Sequence, residues 1–282
     1  MPNSTRPMTF RAELKDFAQF LRAPNFRRVP RAKPPVSTSA IAVDWWGCFR
    51  LAHVWKWAIC LWVVNIFVLA PLAMAAMQSS GAEHRLDLTR IPWLLVVFWA
   101  PLVEELVFRY GLRRPTQILW LLPLAAWMMV SGPGQPLVMV CLALLLGLLL
   151  APPAWLSARK PSHSSASAPV VHNWYWLIGL APMPLAAGRI YRRYFSVVFW
   201  LSAVAFAALH LYNFNFASGS VGLMVALMLV LPQFCTGLVL AWLRIRRGMG
   251  SAVLLHAVFN GGPVLIVWVI LQLVGEAALK AS

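Results

Sequence analysis

Seven stretches of this chain, at residues 57–76, 91–110, 118–130, 136–156, 194–214, 221–243 and 251–274, are apolar and nearly free of charge, and all are long except 118–130, which is short unless it extends at either end. A helix rises about 1.5 Å per residue and a bilayer core is about 30 Å thick, so roughly 20 such residues span it. Lipid offers the backbone no hydrogen-bond partners, so segments of this kind must be helical. The expected fold class is therefore all-α: a polytopic integral membrane helix bundle of about seven to eight transmembrane helices. An eighth segment, 174–187, is shorter and contains Pro182 and Pro184, so it crosses poorly, re-enters or lies at the interface. The chain is 61% hydrophobic and only 11% charged, which leaves too little sequence outside the apolar runs for a second soluble domain.

Charge then orients the bundle. The net charge of +16 would suit nucleic acid, but the basic residues sit mostly at the ends of apolar segments. There they face anionic headgroups and set topology, so the lipid bilayer is the expected partner and nucleic acid is not. Basic clusters precede the first span and recur at Arg113 and Arg114, at Arg159 and Lys160, at Arg189, Arg192 and Arg193, and at Arg244, Arg246 and Arg247. If 174–187 does not fully cross, all of them fall on one side, which the positive-inside rule makes cytoplasmic. The N-terminus begins polar and basic, without the apolar core and cleavage site of a secretory signal. We expect a multi-pass protein of a cell (inner) membrane with a cytoplasmic N-terminus; an endoplasmic-reticulum membrane fits the same features. Cys48, Cys60, Cys141 and Cys235 have no CxxC spacing, so neither a disulfide framework nor a cysteine zinc site is supported.

Residues 1–50 form a cytoplasmic basic segment, and 51–282 the transmembrane domain. Within the first, Phe10, Leu14, Phe17, Phe20 and Leu21 recur at helical spacing, with Arg11, Lys15 and Arg22 among the polar positions. This reads either as an amphipathic helix on the membrane surface or as a solvated tail that helps orient the first span. Residues 30–40 read as a linker, and the low-complexity stretch 157–173 as a flexible loop.

Within the apolar segments the ionisable residues are few: Glu104, Glu105, Arg109, His210 and His256, with Lys56 at the start of the first span. Each costs on the order of 2.5 kcal/mol or more at membrane depth, so each needs a partner or a function. Glu105 and Arg109 are four apart and share a helix face, whereas Glu104 lies about 100° around and lacks a local partner. Phe206 and His210 repeat the four-residue spacing on a second helix, and His256 and Asn260 on a third. Singly, a buried histidine is a common interhelical hydrogen-bond partner, a Glu–Arg pair common structural glue, and Asn260 beside Gly261, Gly262 and Pro263 a plausible kink. Jointly they offer a free carboxylate, two imidazoles and a carboxamide to one interior. That set activates water: Glu104 and His210 hold and deprotonate it, while His256 and the Asn260 amide donate to the oxyanion formed on a carbonyl.

The ordered motifs "EELVFR" at 104–109, "FAALH" at 206–210 and "HAVFN" at 256–260 resemble those of the CPBP intramembrane proteases. That family, also called the CAAX-protease and bacteriocin-processing family, is related to the eukaryotic CAAX prenyl endopeptidase. The resemblance covers about residues 91–262 and implies a glutamate-dependent membrane endopeptidase. It implies Glu104 and His210 as water activators and His256 with Asn260 as the oxyanion hole, supported by Glu105, Arg109 and Phe206. The implied substrate is a peptide or protein, lipid-modified in CAAX processing and unmodified in other members. The implied mechanism needs no cofactor, although Glu104, His210 and His256 could supply three zinc ligands; no HExxH is present. Tyr110 stands where the family commonly has glycine after the arginine, a difference that touches packing more than chemistry. Two other functions suit the same residues: a proton- or ion-coupled transporter, and a catalytically inactive scaffold or immunity protein. His210 falls late in its segment and His256 early in a parallel one, so the two meet only if those helices start at different levels or tilt.

Overall fold

The computed structural model describes residues 9–28, 44–45, 50–85, 92–150, 176, 183–216 and 222–281. Its elements in chain order are α1 (Phe10–Arg22), α2 (Leu51–Val64), α3 (Ala70–Ser80), β1 (Ala82–His84), α4 (Ala100–Phe108), α5 (Ile118–Ser131), α6 (Pro136–Leu150), α7 (Leu185–Leu209), β2 (Phe214–Phe216), α8 (Leu223–Arg246) and α9 (Met249–Ala281). The protein is an all-α membrane helix bundle, with one short two-stranded antiparallel sheet among the described residues. Among the described residues, Leu51–Ser80, Leu185–Asn213, Leu223–Arg246 and Met249–Ile270 are long and apolar enough to cross a bilayer, and Ile118–Ser131 and Pro136–Leu149 are shorter apolar helices. Segment 174–187 lies mostly outside the described residues, apart from the first turn of α7, as do linker 30–40 and loop 157–173.

Two helices contain a π-turn at the same sequence signal. Asn65–Leu69 joins α2 to α3 and Leu95–Trp99 leads into α4, each directly ahead of Ala-Pro-Leu, at 70–72 and 100–102. Proline lacks the N–H that would close the regular turn, and its ring crowds the carbonyl four residues back. Widening the preceding turn removes that conflict: Ala70 donates to the carbonyl of Asn65, and Ala100 to that of Leu95. In the second case the turn resets the rotation of α4 just before the two glutamates. It also splits the apolar stretch 91–110 into a π-turn, a nine-residue helix and a 3-10 turn at Tyr110–Leu112, where one uninterrupted helix was expected.

The end of the bundle that carries α1 is held by charge pairs. Thr9 caps α1, its hydroxyl accepting from Ala12 N, and the helix turns its aromatic face onto the bundle. Phe17 lies edge-on to Trp57 and Trp242 at 5.4 and 5.6 Å, and Phe20 meets Phe199 at 5.0 Å. The face assigned from sequence to a membrane surface or to solvent is therefore occupied by protein. Its acids point the same way. Glu13 is fully buried, accepts from Trp57 Nε1 and pairs with Arg247 and with His53 Nδ1 (2.9 Å). Asp16 pairs with Arg246 at 2.7 Å and accepts from Trp242 Nε1. Asp44 pairs with Arg244 at 2.9 Å, with Arg114 at 3.5 Å, and with Arg28. Arg113 donates to the carbonyls of Phe26 and Ile245. The 113–114 and 244–247 clusters and the N-terminal segment thus share one end.

The α8–α9 turn at that end needs Gly248, whose φ of +111° suits glycine, and a Cβ there would run into the Asp44 carbonyl. At the other end, β1 and β2 pair antiparallel with Glu83 opposite Asn215. Arg85 Nε donates to Asn215 Oδ1 at 2.7 Å and stacks on Tyr212, tying down the segment that follows His210. Strands this short give no alternation that a sequence reading could detect.

Burial alone would raise the Asp44 pKa, but Arg244, Arg28 and Arg114 outweigh it and hold the carboxyl well below the usual range. A depressed carboxyl contributes stability that is full above its unfolded pKa and is lost as pH falls through its folded one. Wild-type protein in detergent should therefore lose thermal stability below about pH 4, and Asp44→Asn should show a shallower loss there. At pH 7 Asp44→Asn should cost about 3 kcal/mol, because Arg244 is left buried without its carboxylate. Gly248→Ala should lower the melting temperature at every pH, through left-handed strain and the clash with Asp44.

Candidate functional site

Three helices bring the motif residues together. Glu104 and Glu105 lie in the second half of α4, with Arg109 as its C-cap. Phe206 lies in the last turn of α7, and His210 caps that helix where it tightens into a 3-10 turn at His210–Asn213. His256 and Asn260 face inward from the first third of α9. His210 stands at the end of α7 and His256 near the start of α9, yet Phe206 packs on both rings, so the two helices begin at different levels.

Phe206 is the centre of the packing. Fully buried, it lies edge-on to His210 with centroids 4.6 Å apart and to His256 at 5.8 Å. The Arg109 guanidinium carbon sits 3.7 Å from its ring centroid, a cation–π contact made where no water competes. Arg109 is fully buried and its nitrogens have no hydrogen-bond partners; the Phe206 ring and Glu105, whose Oε1 is 3.4 Å from Nη1, compensate its charge. The expected Glu105–Arg109 pair is present, and Glu105 has a second role. Its Oε1 also lies 3.1 Å from His256 Nδ1, so one carboxylate binds the arginine and orients the imidazole.

Glu104 points away from Arg109, as helix geometry requires, and its nearest imidazole is His256, with Oε2 at 3.7 Å from Nε2. The expectation for His210 is a water shared with Glu104; the imidazole that Glu104 meets directly is that of His256, because α9 packs against both α4 and its π-turn. Glu104 Oε2 is buried and has no hydrogen-bond partner, so a good acceptor faces the site unfilled. His210 Nδ1 lies 2.8 Å from the Phe206 carbonyl. A carbonyl only accepts, so this contact puts the proton on Nδ1 and leaves Nε2 of the neutral ring as an acceptor. Nδ1–H of His256 is committed to Glu105 in the same manner, so His256 donates from Nε2 only when it carries both protons. Asn260 Nδ2 gives one hydrogen to the Val96 carbonyl, 3.2 Å away in the π-turn ahead of α4, and keeps a second.

Sequence spacing did not disclose what holds α4. The helix ends inside the protein, where its last carbonyls need donors. Ser202 donates to Phe108 O at 2.5 Å, Arg244 to Arg109 O and Tyr110 O at 3.3 Å each, and Tyr191 to the carbonyls of Gly111 and Leu112. These donors come from α7 and α8, and none shares a motif with the carbonyl it caps. Tyr110, in place of the family's common glycine, is buried and donates its hydroxyl to Gln117 at 2.5 Å.

Among the described residues no group of three or more His, Cys, Asp or Glu is placed to hold a metal ion. The possible zinc set of Glu104, His210 and His256 does not fit one ion in this geometry. An apolar groove of about 600 Å³ lies between α2, the π-turn before α4, and α9, lined by Trp55, Trp62, Trp93, Val97 and Leu265 among others. Its α9 lining is centred on Val258, Gly261 and Leu265, a face roughly 140–200° around the helix from His256. The groove and the polar site are separated by the helix itself.

No curated protein and no solved structure matches this chain. A family model described as type II CAAX prenyl endopeptidase Rce1-like matches residues 87–262, more than half of the chain and a range that includes all three motifs. The chain belongs to the type II CAAX prenyl endopeptidase Rce1-like family, a family of membrane proteases.

Proposed function

We propose that this protein is an intramembrane endopeptidase that hydrolyses a peptide bond with water activated by Glu104 and His210. The observation that carries this reading is Glu104 Oε2, a buried acceptor without a hydrogen-bond partner beside His256, in a cluster where Phe206 packs on His256 and on His210, whose Nε2 the Phe206 carbonyl leaves as a second acceptor. Water held by these atoms loses its proton to Glu104 as its oxygen attacks the scissile carbonyl. The resulting oxyanion accepts from doubly protonated His256 and from the second Asn260 hydrogen. Collapse of the tetrahedral species breaks the C–N bond, the amine leaves with the proton that Glu104 returns, and two peptide ends result. Glu105, Arg109 and Phe206 hold the imidazoles and do not touch the reacting atoms.

The substrate we favour is a peptide carrying a prenylated cysteine near its C-terminus, the chemistry in the family's name. The end that gathers α1, Arg113, Arg114 and the 244–247 turn is cytoplasmic on this reading, and the membrane is the cell (inner) membrane. Residues 1–50 would then be a cytoplasmic segment and 51–282 the protease domain.

An internally quenched peptide ending in farnesyl-cysteine and three further residues, offered to the protein in proteoliposomes alongside its unmodified twin, tests the activity. Cleavage of the farnesylated form supports the full reading; cleavage of both forms alike retains the protease and removes the lipid requirement; cleavage of neither sinks it. Glu104→Gln keeps the side-chain shape and should lower kcat by about 10³-fold with an unchanged melting temperature. Glu105→Gln should instead lower stability by about 3 kcal/mol, because it leaves Arg109 buried without a counter-charge. Equal behaviour of the two variants would contradict their separate roles.

A further inference from the structure

Helix α8 carries none of the three motifs, yet it touches Arg109 at two places. At the first, a Cβ built on Gly237 would lie 2.9 Å from Phe206 Cδ1 and 3.1 Å from Arg109 Nη2. The α8 backbone therefore closes the slot in which the guanidinium lies on the ring. Neither neighbour has room to yield. The Phe206 ring is wedged against Phe108, His210 and His256, and the guanidinium is backed by Glu105. At the second, Arg244 donates through Nε to the Arg109 carbonyl and through Nη2 to the Tyr110 carbonyl, both at 3.3 Å. Its own position is fixed by Asp44, 2.9 Å from Nη2. Gly237 and Arg244 are seven residues apart and so share one face of α8.

We propose that Gly237 and Arg244 are positioning residues of the site: they fix Arg109 at its guanidinium and at its carbonyl, and so set the distance between Glu105 and His256. The chain of contact is continuous. Glu105 Oε1 is shared between Arg109 Nη1 at 3.4 Å and His256 Nδ1 at 3.1 Å, so a displaced guanidinium pulls the carboxylate away from the imidazole. A displaced Phe206 ring tilts both imidazoles directly. The role goes beyond helix packing, because alanine is the better helix former and a purely local effect of Gly237→Ala would stabilise α8. The proposal rests on the proposed site, but part of its test does not depend on catalysis.

The test uses the full chain in lipid nanodiscs with ¹⁵N-labelled histidine, the His256 resonances being assigned from their loss in His256→Gln. Gly237→Ala should shift the His256 Nδ1 resonance and lower the melting temperature, although alanine favours the helix, because the added Cβ meets two buried side chains that have no room to yield. It should also lower kcat on the farnesylated peptide by about 100-fold with KM little changed, the pattern of a misplaced group and not of lost binding. Arg244→Lys keeps the charge opposite Asp44 but cannot serve two carbonyls and the carboxylate together, and should give an intermediate shift and loss. Leu227→Ala, on an exposed position of α8, should change neither. A His256 resonance and kcat of wild-type character in Gly237→Ala overturn the proposal; if that variant does not fold, the same comparison on Arg244→Lys decides it. If the wild type cleaves neither peptide, the proposed function fails, while the resonance shift still judges the positioning role.

Discussion

A charge removed from water must meet an opposite charge or it destabilises the fold, and in this bundle the partners almost always come from a different helix. The chain has eight acidic residues against twenty-four basic ones, so where it places its acids decides which arginines can be buried. Glu13, Asp16 and Asp44 are all in the N-terminal segment, and they meet Arg247, Arg246 and Arg244, at and next to the turn between α8 and α9. Glu105 meets Arg109 at the site. The N-terminal segment is consequently part of the bundle's framework, because without it three arginines near one turn would stand together without neutralisation.

That framework reaches the chemistry through α4. The helix ends in the protein interior, so its last carbonyls depend on Ser202, Arg244 and Tyr191, and Arg244 depends in turn on Asp44. A line of polar contacts therefore runs from the N-terminal segment, through α8, to the residue that stacks on Phe206. On the proposed reading this separates two requirements of a membrane protease. The reacting groups need an acceptor that is not already satisfied, which Glu104 Oε2 supplies, and the second carboxylate needs to stay with Arg109 and His256, where the contacts of Glu105 Oε1 hold it.

Particular residues show how far spacing alone can go. The split between Glu104 and Glu105 follows from helical periodicity, and Glu105 does face Arg109 while Glu104 does not. Spacing could not say which imidazole stands nearest Glu104, because that depends on where α9 crosses α4, and the neighbour is His256. The level of His210 was uncertain because hydropathy marks the apolar part of a helix and not its start. The polar first turns of α7, with Arg189, Arg192 and Arg193, are helical yet invisible to an apolar window. The two π-turns went unpredicted for a similar reason: proline signals a conflict, and the local packing chooses how to relieve it.

The sequence by itself determined that the chain is a membrane helix bundle, since uncharged runs near 20 residues admit no other backbone in lipid, and it determined which few polar residues had to be explained. Its ordered motifs also identified the family, because the spacing within each motif is a property of one helix and needs no knowledge of the neighbours. Only the tertiary structure decided the partners: Glu105 with both Arg109 and His256, Arg109 on Phe206 against Gly237, and the N-terminal acids with the arginines of a turn some two hundred residues away. These pairings join side chains from separate helices, and their energies depend on distance and burial, which one-dimensional spacing does not contain.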